Sequence, residues 1–194
     1  MDKHLPEMSL LFAHAARHAE LALGALALAC LIGAPLGAWA AASRAARVPI
    51  IAGAALGRTV PSIAVLMLLL PILGVGSLPA VIALTLLALA PIVINVDLAL
   101  RGVSAAAIDA ATGLGMSARD RFWRVRVPLA LPLAIAGVRT AGVEVVASAT
   151  LATFIGAGGL GDDIVRALQT NDTSLLLAAC AVVSVMAFAF EVKL

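Results

Sequence analysis

Residues 59–96, TVPSIAVLMLLLPILGVGSLPAVIALTLLALAPIVINV, run from Arg58 to Asp97 without a single charge. A membrane-spanning helix needs about 20 predominantly apolar residues. This run is too long for one crossing. It divides at Pro71-Ile72-Leu73-Gly74-Val75-Gly76-Ser77-Leu78-Pro79, because glycine and proline punctuate helices. Two apolar helices joined by an uncharged turn predict an all-α membrane protein.

The rest of the chain agrees. Of its 194 residues, 63% are hydrophobic and only 12% are charged, with a mean hydropathy of +1.11. Soluble domains are about half apolar and about a quarter charged. Charged residues this few cannot coat a soluble surface, so lipid is the solvent for much of the molecule. A first span lies between Glu20 and Arg44. The second starts near Pro49, ahead of Arg58, and the third ends near Asp97. A fourth runs from about Pro132 to Ile155, and a fifth lies between Asp172 and Glu191. About five spans account for nearly the whole chain, so residues 1–194 read as one transmembrane domain. Met1–Glu20 is a mixed-charge lead-in, and the apolar run after it is too long for a signal-peptide core.

Arginine distribution sets the expected orientation. Arg101, Arg119, Arg121, Arg124 and Arg126 fall between spans three and four, and Arg44 and Arg47 between spans one and two. The positive-inside rule puts both loops in the cytoplasm, the N-terminus outside and the C-terminus inside. Pro35, Pro61 and Pro91, with the spacings Gly33/Gly37 and Gly53/Gly57, suit closely packed, bent helices. Chains rich in alanine and glycine produce such spacings by chance.

Residues 103–131 are the least lipid-like stretch. Ser104 is placed to cap a helix over Ala105–Leu114, whose faces carry Ala106, Ala107, Ala110 and Ala111. Gly113 and Gly115 end it. Ser117 and Asp120 form a capping-box pattern for a second helix, which Pro128 is expected to stop. Small side chains on a basic loop suit close docking against another protein. An amphipathic loop on anionic lipid fits the same composition.

The spacing adds a resemblance. Asp109-Ala110-Ala111, then Gly115, then Val125, Val127 and Pro128 is similar to the EAA loop of ABC importer permeases. That pattern is Glu-Ala-Ala, three residues, Gly, nine residues, a hydrophobic residue, one residue, Leu-Pro. Asp109 stands for Glu and Val127 for Leu, and both keep the chemical type. Arg58–Ala64, Leu129–Pro132 through Gly137–Ala141, and Ala149–Gly161 resemble segments of the glycine betaine/carnitine/choline (osmoprotectant) permeases. The resemblance implies a type I importer fold and a bacterial inner-membrane location. It also implies a homo- or heterodimer of permeases, two cytoplasmic ATPase subunits that bind ATP and Mg, and an external substrate-binding protein. Asp109, Ala110, Ala111, Gly115 and Pro128 would then belong to the ATPase-coupling loop. The same loop occurs in importers of other solutes, amino acids among them. An ion-coupled secondary transporter would be expected to show more spans and inverted repeats.

No ATP hydrolysis is expected of this chain, since a P-loop needs an internal lysine and the lysines are Lys3 and Lys193. No cofactor, metal or nucleic-acid partner is expected either. Gly156-x-Gly158-x-x-Gly161 matches a dinucleotide fingerprint by letter, but it follows a membrane span rather than a strand. Gly158, Gly159 and Gly161 read instead as an outer turn, which the resemblance places near the binding-protein docking face. His14 and His18 read as a solvated face of the lead-in. Cys30 and Cys180 read as small buried hydrophobes.

Span four carries Arg139 and Glu144. Intramembrane charges usually face the protein interior or water, which makes both functional candidates. Their five-residue spacing separates them by about 140° around a helix, so they are not a natural mutual pair. Arg139 reads as snorkelling to the cytoplasmic end. Glu144 either lines a pathway or hydrogen-bonds across helices. Asn95 is a candidate interhelical hydrogen-bonding residue, and Asp97 and Arg101 form an i, i+4 pair. The chain has two tryptophans, five phenylalanines and no tyrosine. An aromatic cage for a quaternary amine would therefore sit on the binding protein.

Overall fold

The structure is a computed structural model that describes residues 4–193, and the side chains of residues 8–192. The lead-in charges Asp2, Lys3 and Glu7 and the side chains of His4 and Lys193 lie outside the described residues. Among the described residues every regular element is helical: α1 (His4–Ala42), α2 (Arg44–Thr59), α3 (Ser62–Leu73), α4 (Ser77–Gly102), α5 (Ala105–Gly113), α6 (Ala118–Asp120), α7 (Val127–Ala149), α8 (Leu160–Thr170) and α9 (Thr173–Lys193). A π-helical stretch, Arg121–Arg126, joins α6 to α7, and a 3₁₀ stretch, Thr150–Ile155, follows α7.

Four helical runs are long and apolar enough to cross a membrane: Met8–Ala42, Ser77–Gly102, Ala118–Ile155 and Thr173–Val192. The α2–α3 pair makes a fifth when counted as one broken span. The core lies where α1, α4 and α7 meet, filled by Leu21, Ala25, Leu84, Ile92, Val145 and Val146. Alanine and glycine set how closely these helices approach. A Cβ on Gly37 would lie 2.7 Å from Val96 Cβ and 2.8 Å from the Val93 carbonyl oxygen. A Cβ on Gly137 would lie 2.5 Å from Asn95 Cβ. By contrast, Gly53 and Gly57 have open space around them. Only the first of the two expected glycine spacings is therefore a packing contact within this chain.

Three expectations need correction. The first helix is not preceded by a separate lead-in: α1 is continuous over 39 residues, about 58 Å at 1.5 Å per residue. It is far longer than a bilayer core of about 30 Å. The second span is not one bent helix. Its halves meet at 98°. Val60 is extended (φ −82°, ψ 126°) before Pro61, which lacks an N–H and disfavours helical backbone in the residue before it. Finally, Pro128 stops nothing, and the fourth span does not begin at Pro132. The helix runs on through both prolines. The π turn just before Pro128, in which the Val127 N–H donates to Phe122 O, loosens the helical register where the proline enters.

Candidate functional site

The loop expected to contact a partner folds as two capped helical pieces. Ser104 Oγ accepts the Ala107 N–H at 3.2 Å and so starts α5. Ser117 Oγ accepts the Asp120 N–H at 3.1 Å and donates to Asp120 Oδ2 at 2.6 Å, which starts α6. Each cap satisfies an amide that a helix start leaves free. Gly115 sits between them at φ +75°, a left-handed turn that an L side chain resists. The small-residue faces divide. Ala111 is buried against the body, while Ala106, Asp109 and Ala110 are exposed. Leu114 projects from the tip, 83% exposed. Pro128 is also exposed. Arg121 Nη1 donates to Met116 O at 2.9 Å, and Arg126 Nε donates to Leu100 O at 2.9 Å. Two of the five arginines thus brace the loop on itself and on the end of α4.

Asp97 anchors the same end of the bundle. It is 1% exposed and takes Arg101 Nε at 3.1 Å and Arg47 Nε at 3.2 Å. The i, i+4 pair with Arg101 is present as expected. Arg47, from the start of α2, completes a three-member cluster. The intramembrane polar residues are spread apart. Asn95 Nδ2 donates to Pro91 O at 2.8 Å, within its own helix rather than across to another. Arg139 Nη1 stands 4.0 Å from Glu191 Oε1 of α9. Glu144 Oε1 stands 4.0 Å from Arg58 Nη2, across a cavity beside the α2–α3 break.

A family described as the binding-protein-dependent transport system inner membrane component matches residues 33–192. The chain belongs to this family. Among its relatives, the carnitine transport permease protein OpuCB of Listeria monocytogenes is 36% identical over 178 residues, covering 92% of this chain and 82% of its own length. The glycine betaine/carnitine/choline transport system permease protein OpuCB of Bacillus subtilis is 32% identical over 174 residues, covering 90% and 80%. The fold matches a chain of the inward-facing MetNI methionine ABC transporter with a TM-score of 0.87 at 20% identity, over 100% of this chain and 95% of that one. The molecule is accordingly a multi-pass inner-membrane permease of the ABC importer type, a transport subunit rather than an enzyme.

In this permease the glycine turn lies at the end of the bundle opposite the basic loop. The Gly76 N–H donates to Ile155 O at 2.7 Å and ties the α3–α4 turn to it. Gly158 and Gly159 adopt φ +80° and +99°. Gly159 and Gly161 lie close against His18 and Thr150 respectively. The turn is therefore packed rather than loose, and it starts α8. The expected solvated histidine face is overturned. His18 is fully buried with Nε2 3.0 Å from Val146 O, and His14 Nδ1 is 2.8 Å from Asp163 Oδ2. Asp163, itself fully buried, also accepts Arg166 Nη2 at 2.9 Å. Cys180 is exposed and Cys30 half-buried, so only the second approaches the expected burial. Sequence spacing could not reveal the His14–Asp163 contact, because the partners are 149 residues apart.

Proposed function

We propose that this permease serves an ATP-driven importer of osmoprotectant quaternary amines such as glycine betaine, carnitine or choline. The observation that carries the solute class is the identity of 32–36% to permeases named for those solutes, over at least 90% of the chain. In this reading residues 103–131 form the coupling loop. Ala106, Asp109, Ala110 and Leu114 dock in a groove on a cytoplasmic ATPase subunit, which binds ATP and Mg. Buried Ala111 packs α5 down, and Pro128 lies exposed where the loop runs into α7. Gly115 provides the turn that presents Leu114. Five crossings enclose no pathway alone, so the permease works as a homo- or heterodimer. The basic end faces the cytoplasm, which places the α8 end, with Gly158, Gly159 and Gly161, towards an external substrate-binding protein.

Mechanically, the loop is well placed to pass on motion. Arg126 joins it to the end of α4, and Asp97 one turn earlier joins α4 to α2. Displacement of α5 by a closing ATPase would thus reach the broken α2–α3 span. The test is uptake of radiolabelled glycine betaine, carnitine and choline by cells carrying this permease with its neighbouring ATPase and binding protein. Saturable, energy-dependent uptake of at least one of the three is expected. Uptake of an amino acid such as methionine, with none of the three transported, would overturn the solute class.

A further inference from the structure

Arg58 and Glu144, 52% and 38% exposed, make a looser contact than the buried carboxylates do, as Arg139 and Glu191 also do. Asp97 and Asp163 are closed by arginine hydrogen bonds of 2.9–3.2 Å. Arg58 Nη2 and Glu144 Oε1 are 4.0 Å apart, and among the described residues neither head group makes a hydrogen bond. The two come from different elements, Arg58 from the last turn of α2 and Glu144 from α7. They face one cavity of about 390 Å³, within the range of about 300–1,000 Å³ usual for small-molecule sites. Its remaining walls are apolar (Val60, Pro61, Leu87, Ala147) apart from the hydroxyls of Ser62 and Ser148.

Opposite charges in a spanning segment that do not satisfy each other are poised to take other partners. A solute carrying one positive and one negative group can replace the pair one for one and leave the cavity neutral. We propose that Arg58 and Glu144 form a transit site for zwitterionic quaternary amines, a reading that rests on the solute class proposed above. The solute carboxylate accepts hydrogen bonds from the Arg58 guanidinium. Its quaternary ammonium, which has no N–H to donate, lies against the Glu144 carboxylate with its methyl groups on Val60, Pro61, Leu87 and Ala147. The wall contains no aromatic ring, so cation–π attraction does not deepen the site. Weak binding suits a place that must release its cargo onward. Glycine betaine and carnitine carry both charges, whereas choline carries only the positive one and engages half of the site.

The test reads occupancy apart from transport. Ser148→Cys, with Ala147→Cys as a second reporter, is placed in a Cys30→Ala/Cys180→Ala background. The complete importer is reconstituted in proteoliposomes, and labelling by a small neutral maleimide is timed. Glycine betaine at twice its dissociation constant should slow labelling about threefold. Arg58→Gln and Glu144→Gln should each abolish that protection, and the neutral carbon isostere of choline should give none. Betaine uptake without protection would overturn the transit site and leave the solute class standing. Protection that survives both substitutions would overturn the assignment to these two charges. Absence of uptake of betaine, carnitine and choline alike in the same vesicles, together with absence of protection, would overturn the solute class and this inference with it.

Discussion

Gly37→Ala and Gly53→Ala should have opposite effects on stability, although both glycines belong to the same kind of small-residue spacing. Each substitution gains about 1 kcal/mol of helix propensity, so the difference between the two variants isolates steric cost. At Gly37 the new Cβ falls 2.7 Å from Val96 Cβ and 2.8 Å from the Val93 carbonyl oxygen. The second contact is with backbone, so no rotamer change relieves it. Helix α1 must move away from α4 by several tenths of an ångström. Overpacking of this kind costs about 1–3 kcal/mol. At Gly53 the Cβ enters open space. Gly37→Ala should therefore be less stable than Gly53→Ala by about 1–3 kcal/mol. The assay is unfolding of the purified permease in mild detergent, followed by helical signal against denaturant, with Gly57→Ala as a second open-space control. Equal stabilities for Gly37→Ala and Gly53→Ala would refute the claim that α1 and α4 touch through Gly37.

Other predictions concern the charge clusters. Asp97→Asn should cost about 1.5–3 kcal/mol in the same assay, less than the ~3–5 of a fully buried pair because both arginines are more than a third exposed. Arg47→Gln should then cost much less in the Asp97→Asn background than alone, and full additivity would dissolve the cluster. At the other end, Asp163→Asn should lower the melting temperature more than His14→Gln, since the carboxylate also holds Arg166. The reverse order would show that Asp163 does not hold the α8 end together. Asp172 accepts from Ser174 Oγ and the Leu175 N–H at the start of α9, and these bonds hold its carboxyl below its ordinary value of 3.8. A depressed acid stabilises the fold above its unfolded value and loses that contribution as pH falls through its folded value. Wild type should therefore lose stability relative to Asp172→Asn as pH drops below about 3.8, and a pH-independent difference would refute the cap.

Features set by local chemistry were legible in the sequence. The uncharged runs gave the spans, the segment from Pro71 to Pro79 gave the α3–α4 turn, and Ser104 and Ser117 gave the caps of α5 and α6. Proline was misread where its neighbours decided the outcome, at Pro61 as at Pro128. Pro61 breaks the span outright because Val60 is extended before it. Pro128 breaks nothing because a π turn precedes it, and no residue type announces a π turn. Contacts between distant residues were out of reach. Arg47 meets Asp97 fifty residues away, and His14 meets Asp163 only once α8 folds back on α1. A histidine near a chain start looks solvated until the helix that buries it is known. Small-residue faces posed the same problem in the loop, where only packing separates buried Ala111 from exposed Ala110.

Leu114 gives the most direct test of the coupling account. It is the exposed apolar tip of the loop, and its backbone is ordinary (φ −76°, ψ 4°), so a substitution there changes the docking surface without the strain that Gly115→Asp would add. Leu114→Asp is introduced into the complete importer, and ATP-driven glycine betaine uptake is measured in proteoliposomes alongside the amount of ATPase subunit retained. The account predicts that uptake is lost, with the permease still inserted and its helical content unchanged. Uptake at the wild-type rate in the Leu114→Asp variant would contradict it.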